Sequence, residues 1–294
     1  MKEGKSSSTA WGVTLARVAH VRFDESPPIF DDSLAFELVE PDIQPILEHY
    51  GPKTAPQNDP AASTLEKLRR ARAYLSLRQR YQEECLSAAY DRGVRQFVLL
   101  GAGLDSYAFR QPPDRADLSI FEVDLPATQA EKRARIAALG WREPANLRFA
   151  PCDFEHDTLS ESLAQAGFDP RLPSYFAWMG VTIYLKRETI RATLAETLAL
   201  SAPGSSIAFE YALPIEDLSG TDLLSREYSL AQKNREREPF LSHFRLGEIR
   251  RLVTDVGWQR FEVLDHEATA ARVLAGRNDG LSIHMGFRLA EAFA

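Results

Sequence analysis

The residues whose types and spacing could do chemistry begin at Leu99-Leu100-Gly101-Ala102-Gly103-Leu104-Asp105-Ser106. Two glycines directly after an apolar run let backbone approach a ligand at the carboxyl edge of a strand, where open α/β sheets bind. A dinucleotide fingerprint would want a third glycine where Ser106 stands, and would not place Asp105 where phosphates gather. An acid there suits a ligand with an ammonium group; the plainer reading is an ordinary tight turn between strand and helix. A second acid closes Phe121-Glu122-Val123-Asp124, 21 residues past Gly103, where a carboxylate can accept from both ribose hydroxyls. Asp124 is preferred because it lies outside the apolar run, Glu122 shares its strand parity as a reserve, and Asp124 could instead cap the helix opening near Pro126. A third acid stands in Pro151-Cys152-Asp153-Phe154-Glu155, where Asp153 could accept the adenine amino group and Phe154 could wall the ring. Acids after three successive strands favour an adenosine ligand without a phosphate.

These residues need a scaffold, and the pattern around them supplies one. Gln96–Leu100, Ser119–Val123, Leu147–Ala150, Tyr175–Met179 and Ser206–Tyr211 read as strands, the first as one buried on both faces. Helical patterns at Ala127–Leu139, Leu159–Ala166 and Arg187–Leu200 alternate with them, which predicts a doubly wound, mostly parallel sheet. Ahead of it, Gly12–Phe23 and Asp31–Val39 read as short helices, Pro52–Pro60 as a connector, and Ser63–Asp91 as a long helix capped by Ser63 with Glu66 in capping-box position. Behind it, Asp217–Asn234 is a polar helix, Leu246–Val256 an amphipathic one, and Arg260–Leu264 and Leu281–Leu289 complete seven strands around an exposed polar loop at Asp265–Gly280. The expected division is a disordered lead over 1–10 and a single domain over 11–294. Within it, 12–92 would be N-terminal helices, 93–213 the cofactor-binding core, 214–245 a lid insertion, and 246–294 the closing helix and strands.

Composition excludes several classes. The chain has 294 residues, 44% hydrophobic and 26% charged, ordinary for a globular protein with a sizeable core. A net charge of −7 argues against a nucleic-acid partner, and the basic cluster at Lys67–Arg72 reads as a solvated helix face. No stretch resembles a signal peptide or a membrane span, and the two cysteines, Cys85 and Cys152, read as reduced core residues, so the expected location is cytoplasmic without a membrane partner. The six histidines show no metal-ligand spacing, so no metal is expected, and neither a Gly-x-Ser-x-Gly elbow nor a phosphate-binding Lys loop is present.

Taken together, Leu77-Arg78-Gln79-Arg80-Tyr81, Gly93-Val94-Arg95-Gln96, Leu99 to Arg110, Phe121 to Arg133, Asp153-Phe154 and Gly180 to Leu185 resemble the leucine carboxyl methyltransferase family, in its bacterial branch of S-adenosylmethionine-dependent O-methyltransferases. Thr14-Leu15-Ala16-Arg17 and Phe30-Asp31-Asp32 also look like family elements. The resemblance runs from about Gly12 to Pro214, and more loosely to the end. It implies the class I, Rossmann-like methyltransferase sheet and S-adenosylmethionine as cofactor. Gly101 and Gly103 would lie against the methionine portion, Asp124 on the ribose, and Asp153 with Phe154 at the adenine; Ala102, Asp105, Leu125 and Trp178 are further expected cofactor-binding residues. Arg78 or Arg80 would clamp the cofactor carboxylate; residues two apart on a helix face apart, so one of them serves. Many relatives carry Glu before the glycine matched by Gly180, whereas this chain has Met179, which bears no charge.

The expected activity is therefore methyl transfer to a carboxylate or hydroxyl of a small molecule. Tyr184 and Tyr211 are the expected acceptor-positioning residues, although each is also compatible with a core aromatic. Tyr228, Phe240 and Phe244 would line the lid. The rival readings are a catalytically silent S-adenosylmethionine-binding protein and a nicotinamide-dependent oxidoreductase. Oligomeric state is not legible.

Overall fold

The computed structural model describes residues 8–39, 60–154, 156–236 and 239–294. Strands β1 (Gln96–Leu100), β2 (Ser119–Asp124), β3 (Leu147–Pro151), β4 (Ser174–Trp178), β5 (Ser206–Ala212), β6 (Arg260–Val263) and β7 (Phe287–Phe293) form one sheet in the order β3-β2-β1-β4-β5-β7-β6. The first five are parallel; β7 runs antiparallel to both β5 and β6. The seven-stranded doubly wound sheet expected from the sequence is thus present, with strand order reversing between β1 and β4.

The central strands are apolar throughout because helices cover both faces. Every residue of β1, β4 and β5 is buried. One face packs Val98, Phe121, Phe176, Trp178, Phe209 and Tyr211 into one core; the other packs Phe97, Leu99, Ile120, Tyr175, Ala177 and Ala208 into a second. Among the described residues the α-helices are α1 (Ser8–Phe23), α2 (Ala35–Val39), α3 (Pro60–Asp91), α4 (Tyr107–Arg110), α5 (Pro126–Ala138), α6 (Leu159–Gln165), α7 (Arg187–Ala199), α8 (Gly220–Glu236), α9 (Leu246–Val256) and α10 (His266–Val273).

Four expectations shift. α1 is already helical at Ser8, inside the stretch read as a disordered lead, whose residues 1–7 lie outside the described part. α3 begins at Pro60 rather than at Ser63, because a proline fits the first helical position, so Ser63 sits inside the helix and is no cap. The rest of the Pro52–Pro60 connector lies outside the described residues. α10 occupies the segment read as a polar loop, opened by Asp265, whose Oδ1 accepts from the Ala268 N–H at 2.9 Å. The last strand starts at Phe287, six residues later than expected; Leu281 and Ile283 are buried as irregular chain in a third apolar cluster with Tyr74 and Leu77 of α3.

Buried polar groups tie these layers to the glycine turn. Lys132 of α5, almost wholly buried, donates to Glu122 Oε2 of β2 and to the Asp105 carbonyl, each at 2.6 Å. Burial pushes the Glu122 carboxyl up to about 7, with Lys132 pulling the other way. Glu122, the reserve acid, is therefore a structural anchor under the sheet's edge. On the other side of the turn, Asp32 accepts from Arg17 Nε at 2.8 Å and from the Ser106 hydroxyl, while Arg110 Nε donates to Ser106 Oγ at 2.8 Å. Truncating one member of a buried ion pair strands the other charge. Lys132→Met is expected to destabilise the fold by about 3–5 kcal/mol in urea unfolding. Adding Glu122→Gln should recover a good part of that loss; no recovery would mean that Lys132 acts through packing alone.

Candidate active site

The carboxyl ends of β1 to β5 converge where the strand order reverses, the position at which such sheets bind ligands. After β1 the chain turns through Gly101 (φ +76°) and Gly103 (φ +51°), a region that favours glycine. A Cβ on Gly101 would stand 2.6 Å from Val181 Cγ2, and one on Gly103 would stand 2.9 Å from Ala10 Cβ. The turn is thus pressed between the segment leaving β4 and the start of α1. The Gly101 and Ala102 N–H groups both donate to the Val123 carbonyl, at 2.8 and 3.1 Å.

Asp124 ends β2 beside this turn. Its Oδ2 accepts from the Gly103 N–H at 2.6 Å and its Oδ1 from the Leu125 N–H at 2.7 Å. Burial raises its pKa, opposed by those two N–H groups. Each carboxylate oxygen has a second lone pair, so Asp124 can still accept from a ligand hydroxyl. Asp105 differs. Its carboxylate is buried and takes bonds from Gln79 Nε2 at 2.8 Å, Gln82 Nε2 at 3.2 Å and the Tyr107 N–H at 2.7 Å. Burial opposes its ionisation, but Arg110, Lys132 and Arg17 hold its pKa below the ordinary value. Asp105 faces α3 and holds the turn in place.

Asp153 lies after β3, part-exposed, with its Oδ2 3.1 Å from His156 Nδ1. Phe154 packs partly buried against the first core. The Cys152 N–H donates to the Asp124 carbonyl at 3.0 Å, which fixes the two acid-bearing loops side by side. Trp178 does not bring its ring to the edge: the indole is wholly buried, and among the described residues its Nε1 has no hydrogen-bond partner.

The two arginines of α3 go to different places. Arg78 Nη1 donates to Glu210 Oε2 of β5 at 2.7 Å, and Tyr74, one helical turn earlier, donates its OH to Glu210 Oε1 at 2.8 Å. The guanidinium lies against Gly180 (φ +74°), where a Cβ would stand 2.6 Å from Nη1. Arg80 points elsewhere, to Glu84 at 2.7 Å and the Ile29 carbonyl at 3.2 Å. Met179 packs against the second core, and the carboxylate that meets Arg78 comes from β5.

Tyr184 and Tyr211, read as a pair, are not brought together. Tyr184 packs beside Ile183 and Tyr74 in the third apolar cluster, edge-on to Phe240 at 5.6 Å. Tyr211 is in the first core on the opposite sheet face, its pKa pushed up to about 12 by burial. Of the aromatics expected in a lid, Phe240 joins this cluster, whereas Phe244 is buried in the first core and Tyr228 lies near Lys67. His243 is exposed. Sequence reasoning missed Tyr74, Asp222, Arg226 and His284. Tyr74 and Arg78 do stand four apart on one helix, a readable signal; His284 falls in the misplaced last strand and gave none.

Among the described residues no helix is long and apolar enough to cross a membrane. Gly140 (φ +68°) has nothing within 4 Å of a Cβ, so Gly140→Ala tests backbone strain alone. Gly180→Ala adds displacement of Arg78 from Glu210, and is expected to cost about 1–3 kcal/mol more in denaturant unfolding. Equal costs would show that the guanidinium moves aside freely.

The leucine carboxyl methyltransferase family model matches residues 10–198. YktD of Bacillus subtilis, provisionally named an S-adenosyl-L-methionine-dependent methyltransferase, is 31% identical over 298 residues, covering 96% of each chain. A similarly named protein of Mycobacterium tuberculosis is 34% identical over 209 residues, 69% of this chain and 67% of its own. Among solved structures, a DUF574 family protein from Streptomyces avermitilis superposes with a TM-score of 0.55 at 13% identity, covering 84% of this chain and 94% of its own. A protein from Thermobifida fusca, provisionally described as a methyltransferase, gives 0.52 at 16%, covering 80% and 89%. The chain belongs to the leucine carboxyl methyltransferase family, with the fold of the class I methyltransferases.

Proposed function

We propose that this methyltransferase moves the methyl group of S-adenosylmethionine to an oxygen, carboxylate or hydroxyl, of a small molecule. The observation that supports it most is the conjunction at one sheet edge of the glycine turn, Asp124 and Arg78. The residues suit the cofactor. Gly101, Ala102 and Gly103 would take the methionine portion, Asp124 the ribose hydroxyls and, with Leu125, its surroundings. Asp153 would accept from the adenine amino group against Phe154. Arg78 spends Nη1 on Glu210, and its remaining donors suit the cofactor carboxylate. Asp105 acts through the turn, and Trp178 through the core beneath it.

The cofactor supplies a methyl group already activated on a sulfonium centre. The protein's work is then to align an acceptor oxygen with it and to exclude water. Tyr184, in the short turn that follows β4, would line the acceptor side, and Tyr211 would serve packing. Calorimetric titration with S-adenosylmethionine and S-adenosylhomocysteine is expected to give micromolar binding, weakened roughly tenfold or more by Asp124→Ala, since two ribose hydrogen bonds would go. Folded wild type that binds neither compound would sink the proposal. Arg78→Met should weaken both ligands as strongly, while Arg80→Met should leave them within about twofold.

A further inference from the structure

Beside Tyr74 the structure assembles a second polar group that cofactor binding does not use. Asp222 of α8 faces His284, which precedes β7, with Oδ1 3.1 Å from Nδ1. The same carboxylate oxygen accepts from the Met285 N–H at 3.0 Å and from Arg70. His284 is 3% exposed, and among the described residues its Nε2 has no hydrogen-bond partner. Arg226 of α8, also 3% exposed, donates to the Gly286 carbonyl at 2.5 Å and the Leu213 carbonyl at 3.3 Å. Among the described residues no carboxylate lies within ion-pair reach of it, and its Nε has no partner. The two side chains meet at Gly286: a Cβ there would stand 2.7 Å from His284 Nε2 and 3.0 Å from Arg226 Nη2. Gly286 does not have positive φ, so the missing side chain serves space, not backbone conformation.

Around this point the walls are aromatic. Phe287 stacks on Tyr74 at 5.3 Å, meets the His284 ring edge-on at 5.4 Å, and lies 4.3 Å beneath the Arg226 guanidinium. Phe240 lies 6.3 Å from Phe287 and 5.6 Å from Tyr184, which links the group to the turn that follows β4. Burial pushes His284 below its ordinary pKa, with Asp222 pulling it up and Arg226 and Arg70 pushing it down, which favours the neutral ring. Burial also lowers Arg226, to about 10, which leaves it charged.

We infer that His284, oriented by Asp222, is the general base for an aromatic hydroxyl acceptor, and that Arg226 stabilises the resulting phenolate. This rests on the methyl-transfer reading above and narrows its acceptor from any oxygen to a phenol. Asp222 fixes the tautomer with the proton on Nδ1, which leaves the Nε2 lone pair for the acceptor. Nε2 takes the hydroxyl proton as the oxygen attacks the methyl carbon. The carbon–sulfur bond breaks with its electron pair remaining on sulfur, and the imidazolium proton passes to water. A carboxylate acceptor would need no base, and a dyad with a free Nε2 would have no task.

The test uses protein saturated with S-adenosylhomocysteine and two probes, 4-nitrophenol and phenol. Bound 4-nitrophenol is expected to ionise about one pH unit or more below the free compound, read from its phenolate absorbance. His284→Gln and Arg226→Met should each lose most of that shift while binding S-adenosylhomocysteine as the wild type does. With S-adenosylmethionine, His284→Gln should lower turnover of phenol by roughly 100-fold or more, the ordinary worth of a general base. Turnover of 4-nitrophenol at a pH where it is already ionised should fall by less than about tenfold. Asp222→Asn, which keeps the side chain's shape, should give an intermediate loss and serves if a bulkier change prevents cofactor binding. Wild type that binds S-adenosylhomocysteine but neither phenol, an unshifted ionisation, equal losses for both probes, or turnover of benzoate alone would overturn the inference. Failure to bind S-adenosylhomocysteine at all would strike the methyl-transfer reading instead.

Discussion

The buried ammonium of Lys132 is the interaction on which the site depends. It joins β2 to α5 through Glu122 and reaches across to the Asp105 carbonyl, within the turn after β1. A flexible glycine turn holds a single shape only when its neighbours leave it no alternative, and Lys132 closes it from below. Asp105 and Ser106 close it from α3 and from the Arg17–Asp32 pair. Asp124 then needs only its two backbone N–H partners to stand in register with the turn. Four separate segments are thereby committed to one loop of a few residues, through buried charges and the amides of Gln79 and Gln82.

The other half of the site is built on an imbalance of charge. Arg78 and Arg226 both lie near Glu210, and only Arg78 is paired with it. A buried guanidinium without a carboxylate is costly unless its environment supplies polar atoms or π faces. Carbonyls of Leu213 and Gly286 and the ring of Phe287 do this for Arg226. The region therefore carries positive potential next to apolar walls, a setting that favours an anion with an aromatic body.

Much of this was legible in the sequence, because parallel strands covered on both faces leave unbroken apolar runs and the loops after them carry the acids. Asp124 could be singled out since it ends such a run. Arg78 could be narrowed only to a pair, because helix periodicity without an anchored face does not say which residue points to the sheet. Tyr211 misled for a related reason: β5 is buried on both sides, so nothing in its sequence marks which parity faces the site. Asp222, Arg226 and His284 stayed hidden because their proximity is set by where the last strand enters the sheet. Leu281 and Ile283 imitate a strand by packing on α3, which drew that entry six residues too early.

The position of β7 has a consequence for how the molecule comes together. It follows β6 in the chain yet stands between β5 and β6, so β6 has no neighbour in the sheet until β7 is seated. His284 and Gly286 lie on the approach to that strand, and Arg226 grips Gly286 through its carbonyl. The residues proposed to hold the cofactor lie within 78–210, ahead of this late, non-local pairing. The acceptor half cannot. The two halves are thus separated in folding order as well as in space, and a molecule able to hold its methyl donor is not yet one able to choose what to methylate.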